Sequence, residues 1–229
     1  KYTATGTLTA CISCAAGTYN TATAQTTCIA CAAGKSNALT QQTAATVCID
    51  CVIGKYMDET GKATCISCAA GTYNAAAAQT TCIGCAAGKS NALTQQTAAT
   101  VCIDCVIGKY TSTAAQTACI SCEIGRHQAT AASTSCTNCA AGKTTASAGQ
   151  DAAADCTDCA VGQYNVAVTT SPNPQPCIAC EQGKYTDQKA QTACITSVCP
   201  VGNGHFSGAG GQSTAAGGCT SCAAGTYQD

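Results

Sequence analysis

The chain has 229 residues and a formal net charge of −1, from 10 Lys and Arg against 11 Asp and Glu. Its 46% hydrophobic content is mostly small or sulfur-bearing: 47 residues are Ala and 24 are Cys, while Leu, Ile, Val and Phe together number 25. This composition excludes one conventional apolar core for a chain of this length, a basic nucleic-acid footprint, and the apolar run of ~18 residues that a membrane span needs.

In chain order, Lys1-Tyr2 reads as the tail of a Gly-Lys-Tyr whose cysteine pair precedes the sequence, so residues 1–10 are the end of a truncated module. No secretory pattern opens the chain. Twelve cysteine pairs follow, beginning at Cys11, Cys28, Cys48, Cys65, Cys82, Cys102, Cys119, Cys136, Cys156, Cys177, Cys194 and Cys219. Eleven are C-x-x-C and only Cys194/Cys199 is stretched. Spacings of 17, 20 and 17 residues superimpose a unit of 54 residues on the shorter module, which marks a repeat protein. Unit 1 is 11–64, the near-identical unit 2 is 65–118, unit 3 is the diverged 119–176, and unit 4 is the diverged, partial 177–229 with a Gly-rich insertion. The abrupt finish at Gly225-Thr-Tyr-Gln-Asp229 resembles no capping repeat. A window on a longer array is therefore expected.

Each module carries Gly three residues after its second Cys, which calls for a turn with positive φ. In seven modules this Gly is followed two residues later by Tyr: Gly17/Tyr19, Gly54/Tyr56, Gly71/Tyr73, Gly108/Tyr110, Gly162/Tyr164, Gly183/Tyr185 and Gly225/Tyr227. Ile follows the first Cys in nine modules, among them Ile12, Ile29, Ile49 and Ile103. One Ile, one Tyr ring and the sulfurs are expected to form a miniature core that cannot hold a fold alone. Short Thr/Ile/Val/Tyr stretches between small residues predict β-hairpins or looped ribbons, and Asn74 to Gln79 is too short for a stable helix. The expected fold class is a small disulfide-rich repeat protein: an extended rod of stacked hairpin or loop modules, low in helix, with no single large core.

Twelve cysteine pairs point to disulfides and an oxidising, extracellular setting. Connectivity is not deducible from sequence alone, but the repeat constrains it. Closure of pairs in twos would give the near-identical segments at Cys11 and Cys65 opposite roles, because three pairs fill one unit. A ladder from the second Cys of one pair to the first of the next avoids this. It joins Cys14 to Cys28, Cys31 to Cys48, Cys51 to Cys65, Cys68 to Cys82, Cys85 to Cys102 and Cys105 to Cys119. It continues with Cys122 to Cys136, Cys139 to Cys156, Cys159 to Cys177, Cys180 to Cys194 and Cys199 to Cys219, leaving Cys11 and Cys222 for partners outside the window.

The run C-x-x-C-x-x-G-[KT]-Y, followed by the next C-x-x-C, resembles the looped modules of tumour-necrosis-factor-receptor and ephrin-receptor-like cysteine-rich domains. The chain is more closely similar to ciliate surface immobilisation antigens, through its Ala/Thr/Ser/Cys-rich composition, its triplets of unequally spaced pairs, and the tandem copies Cys11 to Thr64 and Cys65 to Ala118. Cys194-Ile-Thr-Ser-Val-Cys199 and the stretch Gly202 to Gly218 depart from that pattern. The resemblance implies a secreted, lipid-anchored coat protein of a cell or ciliary surface, although no anchor sequence is present.

Zinc is the rival use of the cysteines, since C-x2-C-x13-C-x2-C at Cys11, Cys14, Cys28 and Cys31 fits the spacing of four-thiolate sites. Such sites meet the same three-per-unit conflict and would carry uncompensated charge, so no metal or cofactor is expected. A thioredoxin-like role fails because that motif works singly. His127 and His205 stand at variable places where other copies have Tyr, Ser or Thr, and no catalytic constellation can be assembled. Lys35, Lys55, Lys89, Lys109, Lys143 and Lys184, with Arg126, follow the module Gly, and Asp50, Asp104 and Asp158 recur between paired cysteines. Local ion pairs are the simpler reading, and a weak periodic contact for anionic glycans or neighbouring copies the sharper one. Thr and Ser total 51 without an N-x-[ST] sequon, so O-linked glycans are candidate modifications. The expected function is a non-catalytic surface coat or antigen packed against copies of itself. Alternatives are a filament or surface-hair subunit, and a receptor-like ectodomain whose non-repetitive patch would be Thr169 to Phe206.

Overall fold

The computed structural model describes residues 11–166, 176–181 and 184–196, together with the backbone of strands Asn203–His205 and Cys219–Ser221. Gly183, Cys199, Cys222, Phe206, residues 169–175 and the side chains of His205 and Cys219 lie outside this description. The chain divides into two compact units, Lys1–Asp104 with Thr111–Cys119 and Cys105–Tyr110 with Ile120–Asp229. Among the described residues every sheet is a two-stranded antiparallel hairpin. The helical content is three single 3₁₀ turns, Ala45–Val47, Ala99–Val101 and Ala153–Asp155. This is a disulfide-rich repeat protein of stacked hairpin modules with no large core, as the sequence predicts.

Each hairpin grows from the module glycine. Gly17 takes φ 85°, and the chain then enters strand Thr18–Tyr19, crosses a loop, and returns through Ile29–Ala30 between the next paired cysteines. Thr18 opposes Ala30 and Tyr19 opposes Ile29. The same register recurs as Tyr56↔Ile66, Tyr73↔Ile83, Tyr110↔Ile120, Tyr164↔Ile178 and Tyr185↔Ile195. Two residue pairs are far too few for an independent hairpin, and a disulfide closes each one. Cys14–Cys28 and Cys31–Cys48 bring their Cα atoms to 5.7 and 5.5 Å. Closing a loop of ~15 residues removes roughly 3 kcal/mol of chain entropy from the unfolded state.

Adjacent modules are stitched through backbone groups that the hairpins leave free. The Gly17 N–H donates to Asn37 O at 2.7 Å while Gly17 O accepts from the Cys31 N–H at 2.9 Å. The Asn20 N–H donates to Gln42 O and the Gln41 N–H to Cys14 O. This pattern repeats down each unit, for instance at Gly71 to Asn91, Cys85 to Gly71, Asn74 to Gln96 and Ala115 to Cys85 in the first, and at Gly142 to Asn165, Cys159 to Gly142 and Ala190 to Cys159 in the second. Backbone bonding thereby does the work that apolar burial does in ordinary domains.

The glycine is fixed by more than its φ. A Cβ on Gly71 would sit 2.2 Å from Ala115 O, and one on Gly142 would sit 2.0 Å from Ala190 O. Those facing residues are themselves left-handed, Ala115 at φ 61° and Ala190 at φ 60°. The loop two modules on therefore packs directly against the glycine, and each non-glycine residue held there costs about 1 kcal/mol or more.

The interior that results is small. The second cysteine of each described pair is buried, with Cys14, Cys68, Cys105, Cys122 and Cys159 at 0% exposure. Met57, Asn20, Asn37, Asn74, Asn91, Thr111, Thr145, Asn165 and Thr186 join them. Isoleucine does not, contrary to the expected miniature core: Ile49 and Ile103 are 67% and 69% exposed. Direct opposition puts Ile29 on the same outer face as Tyr19, and strand alternation turns the following residue, Asn20, inward. The tyrosines are half-buried.

Candidate interaction surface

Buried side chains set the shape of the loops. Buried amides must be bonded, and the residue after the Tyr position answers this in two ways. Asn74 Nδ2 donates to Lys55 O at 2.7 Å, and Asn165 Nδ2 donates to Lys143 O at 3.0 Å, each reaching back to the preceding module. Where Thr stands instead, its hydroxyl oxygen accepts from a glycine amide: Gly88 N–H to Thr111 Oγ1 at 2.8 Å, Gly125 N–H to Thr145 Oγ1 at 2.8 Å and Gly162 N–H to Thr186 Oγ1 at 2.7 Å. At Asn37 the same amide also shapes its own loop. The Leu39 N–H donates to Asn37 Oδ1 at 3.0 Å and Asn37 Nδ2 donates to Leu39 O at 3.1 Å. Asn91 holds Leu93 identically, at 3.0 Å in both directions.

With cysteine inside, the aliphatic side chains stand outside. Leu39, Ile49, Val52, Ile53, Leu93, Ile103, Val106 and Ile107 are all exposed, and they are the same four positions of two successive units. Contiguous exposed apolar surface is what monomeric soluble proteins avoid, and Ile49 and Val52 share the wall of one cleft. Ser36, Ala38, Ile49, Asp50, Val52, Lys55, Ala63, Thr64 and Cys65 line a cleft of about 310 Å³. In the next module the matching cleft, lined by Tyr56, Asp58, Ala69, Thr72, Thr80, Thr81 and Cys82, is less aliphatic. Ser36 stands at the position of the Tyr56 ring, and its hydroxyl rests 3.2 Å from Cys65 Sγ.

Charge is largely cancelled within the chain. Lys35 pairs with Asp50, Lys89 with Asp104 and Lys143 with Asp158, each directly across a hairpin. Lys184 binds Glu181 at 2.9 Å and Lys62 binds Glu59 at 2.6 Å. Hydrogen bonding to these glutamates, and then their charge, holds both ammonium groups above 10.5. Arg126 Nη2 donates to Cys136 O at 2.8 Å. Lys55 and Lys109 have no acidic partner within 4.0 Å among the described residues.

The structure brings together the cysteines of successive pairs. Besides the two hairpins above, it bonds Cys51–Cys65, Cys68–Cys82, Cys85–Cys102, Cys122–Cys136, Cys139–Cys156, Cys159–Cys177 and Cys180–Cys194. Cys105 and Cys119 are each disulfide-bonded, and Cys11 is exposed and free. One cluster has metal-ligand character: His127, Cys139 and Cys156, whose donor atoms all lie within 4.8 Å of one another. Cys139 and Cys156 are joined to each other, so His127, 3.7 Å from Cys156 Sγ, is the only donor of the three not spent on a covalent bond. That does not fit a zinc site as the chain stands.

Sequence reasoning passed over two sets of residues. The buried Asn and Thr recur three places after the module glycine, a signal that was present but reads as loop polarity. The left-handed residues Ala78, Ala115, Ala132 and Ala190 carry no signal, because alanine has no preference for positive φ.

The family described as tyrosine-protein kinase ephrin type A/B receptor-like matches residues 54–105 and 108–156. No curated protein matches the chain. The matched stretches and the disulfides make this an array of extracellular-type cysteine-rich modules. No helix among the described residues is long and apolar enough to cross a membrane.

Proposed function

We propose that the protein is a non-catalytic structural component of an extracellular surface, a stapled repetitive coat or antigen of the kind its resemblance to ciliate immobilisation antigens implies. The observation carrying this reading is the content of the interior. Among the described residues the buried positions are the module glycines and side chains of Cys, Met, Asn or Thr, which link or stitch modules. Among the described residues no titratable side chain is both free of a disulfide and buried where it could be tuned for catalysis. Five lysines among the described residues are ion-paired, and the distinctive outer feature is repeated rather than unique. In this reading the array is lipid-anchored, carries O-linked glycans on its Thr-rich loops, and packs against copies of itself.

The exposed aliphatic positions, spaced by 54 residues, favour a second reading, a subunit of an extracellular filament. Likeness to a receptor module favours a third, a binding ectodomain; near-identical copies weigh against it, since a single specific site needs unique sequence. Electron microscopy of native surface material separates them. A dispersed lawn of short particles is expected for the coat, micrometre filaments would replace it with the second reading, and isolated unassembled chains that capture a single soluble ligand would replace it with the third.

A further inference from the structure

Resting on the assembly reading above, we propose that the Leu39 and Leu93 loops are rigid apolar knobs that dock a second copy of this chain, entering clefts of the kind lined by Ala38, Ile49 and Val52. Three observations carry this.

The first is preorganisation. Leu39 and Leu93 are 63% and 64% exposed, yet neither loop is loose. A buried asparagine, Asn37 at 3% and Asn91 at 4% exposure, clamps each leucine backbone through both its N–H and its C=O. Each clamp satisfies a buried asparagine amide and also fixes the backbone of an exposed leucine. It lowers the entropy lost when that leucine is received by a partner.

The second is self-complementarity. Ala38, which lines the cleft, is the immediate neighbour of Leu39. A knob beside its own receptor is the arrangement a two-fold contact between identical surfaces requires, because each copy then gives and receives at one place. The cleft has Ser36 where sibling modules carry a tyrosine ring, and its walls, Ile49 and Val52 among them, are more aliphatic than those lined by Thr72, Thr80 and Thr81. Of the charges on its rim, Lys35 and Asp50 pair with each other, and Lys55 has no acidic partner within 4.0 Å among the described residues.

The third is period. Knob and wall residues recur together along the sequence, Leu39 with Ile49 and Leu93 with Ile103 54 residues on, all four in the first compact unit. A partner with the same repeat can engage both registers at once, and two weak contacts on a stiff scaffold then act as one stronger contact. Another copy of this chain supplies that spacing.

Sedimentation of the oxidised full chain over a wide concentration range tests the assignment, with phosphatidylcholine vesicles as a parallel probe. Wild type is expected to self-associate, and the Leu39→Ser/Leu93→Ser double variant to do so at least ~10-fold more weakly, as loss of two buried leucines implies. A Val52→Lys/Val106→Lys variant should behave alike, while retained hairpin circular dichroism in both shows that the fold is intact. Association of wild type that neither variant weakens would overturn the knob-and-cleft contact and leave assembly standing. A wild type monomeric at every concentration would overturn both, and one that binds vesicles through the leucines instead would make a lipid surface the occupant and overturn the proposal.

Discussion

The first two units, 11–118, and the diverged stretch 119–166 share a framework and differ in what they display. Both keep the staples, as in Cys85–Cys102 and Cys139–Cys156. Both keep the glycine packed against a left-handed alanine, Gly71 on Ala115 and Gly142 on Ala190. The cross-hairpin ion pair also survives, as Lys89–Asp104 and Lys143–Asp158. The apolar display is thinned: Ser147 stands where the earlier units have Leu39 and Leu93, Thr157 in place of Ile49 and Ile103, and Ala160 in place of Val52 and Val106, while Val161 keeps an exposed aliphatic side chain at the Ile53 and Ile107 position and His127 occupies a tyrosine position. Framework and surface therefore vary independently. The aliphatic residues contribute little to folding, so their persistence in two units must be sought in what they touch.

That separation is breakable. Gly71→Ala and Gly142→Ala should each cost about 3 kcal/mol, from a left-handed Cβ together with overpacking against backbone, and guanidinium unfolding of the oxidised chain measures both. Similar losses in the two regions support a common framework; a near-neutral Gly142→Ala would show that the diverged stretch folds by other means. Asn74→Ala and Asn165→Ala should cost about 2 kcal/mol apiece, since each strands a carbonyl of the preceding module. Relief of strain works in the opposite direction: Ala115→Gly should gain about 0.5 kcal/mol, the left-handed penalty less the entropy of the added glycine.

The smallest effect belongs to the surface ion pairs. Glu59 holds the Lys62 ammonium above 10.5, so the preference of the folded state for the charged form is in place at neutral pH and disappears only as the pH rises through that raised value. The group is fully exposed and screened. Lys62→Met should leave the unfolding midpoint at pH 7 unchanged, and a measurable drop would mean that surface charge belongs to the framework.

Much of the framework is legible in the residues themselves. Cysteine spacing and the recurrent Gly and Tyr specify a repeat of stapled hairpins because each reflects a covalent or backbone requirement that tolerates few substitutes. What the sequence hides is direction and partnership. An isoleucine beside a cysteine reads as core, yet Tyr19↔Ile29 pairing places it outside. Asn37 reads as a polar loop residue, although it is buried and clamps Leu39. The glycine contact with a loop two modules on is a tertiary fact with no local trace. For the same reason the cleft walled by Ile49 and Val52 is visible only once the fold has brought them together.

The central claim is that covalent linkage between successive pairs carries the fold. Alkylation without reduction, followed by peptide mapping and zinc analysis, tests it most directly in the diverged region, where peptides are unique. The account predicts unlabelled, linked peptides for Cys122–Cys136, Cys139–Cys156 and Cys159–Cys177 with no bound zinc. Bonds closed within single C-x-x-C pairs, or cysteines that take up label after chelation with stoichiometric zinc released, would contradict it.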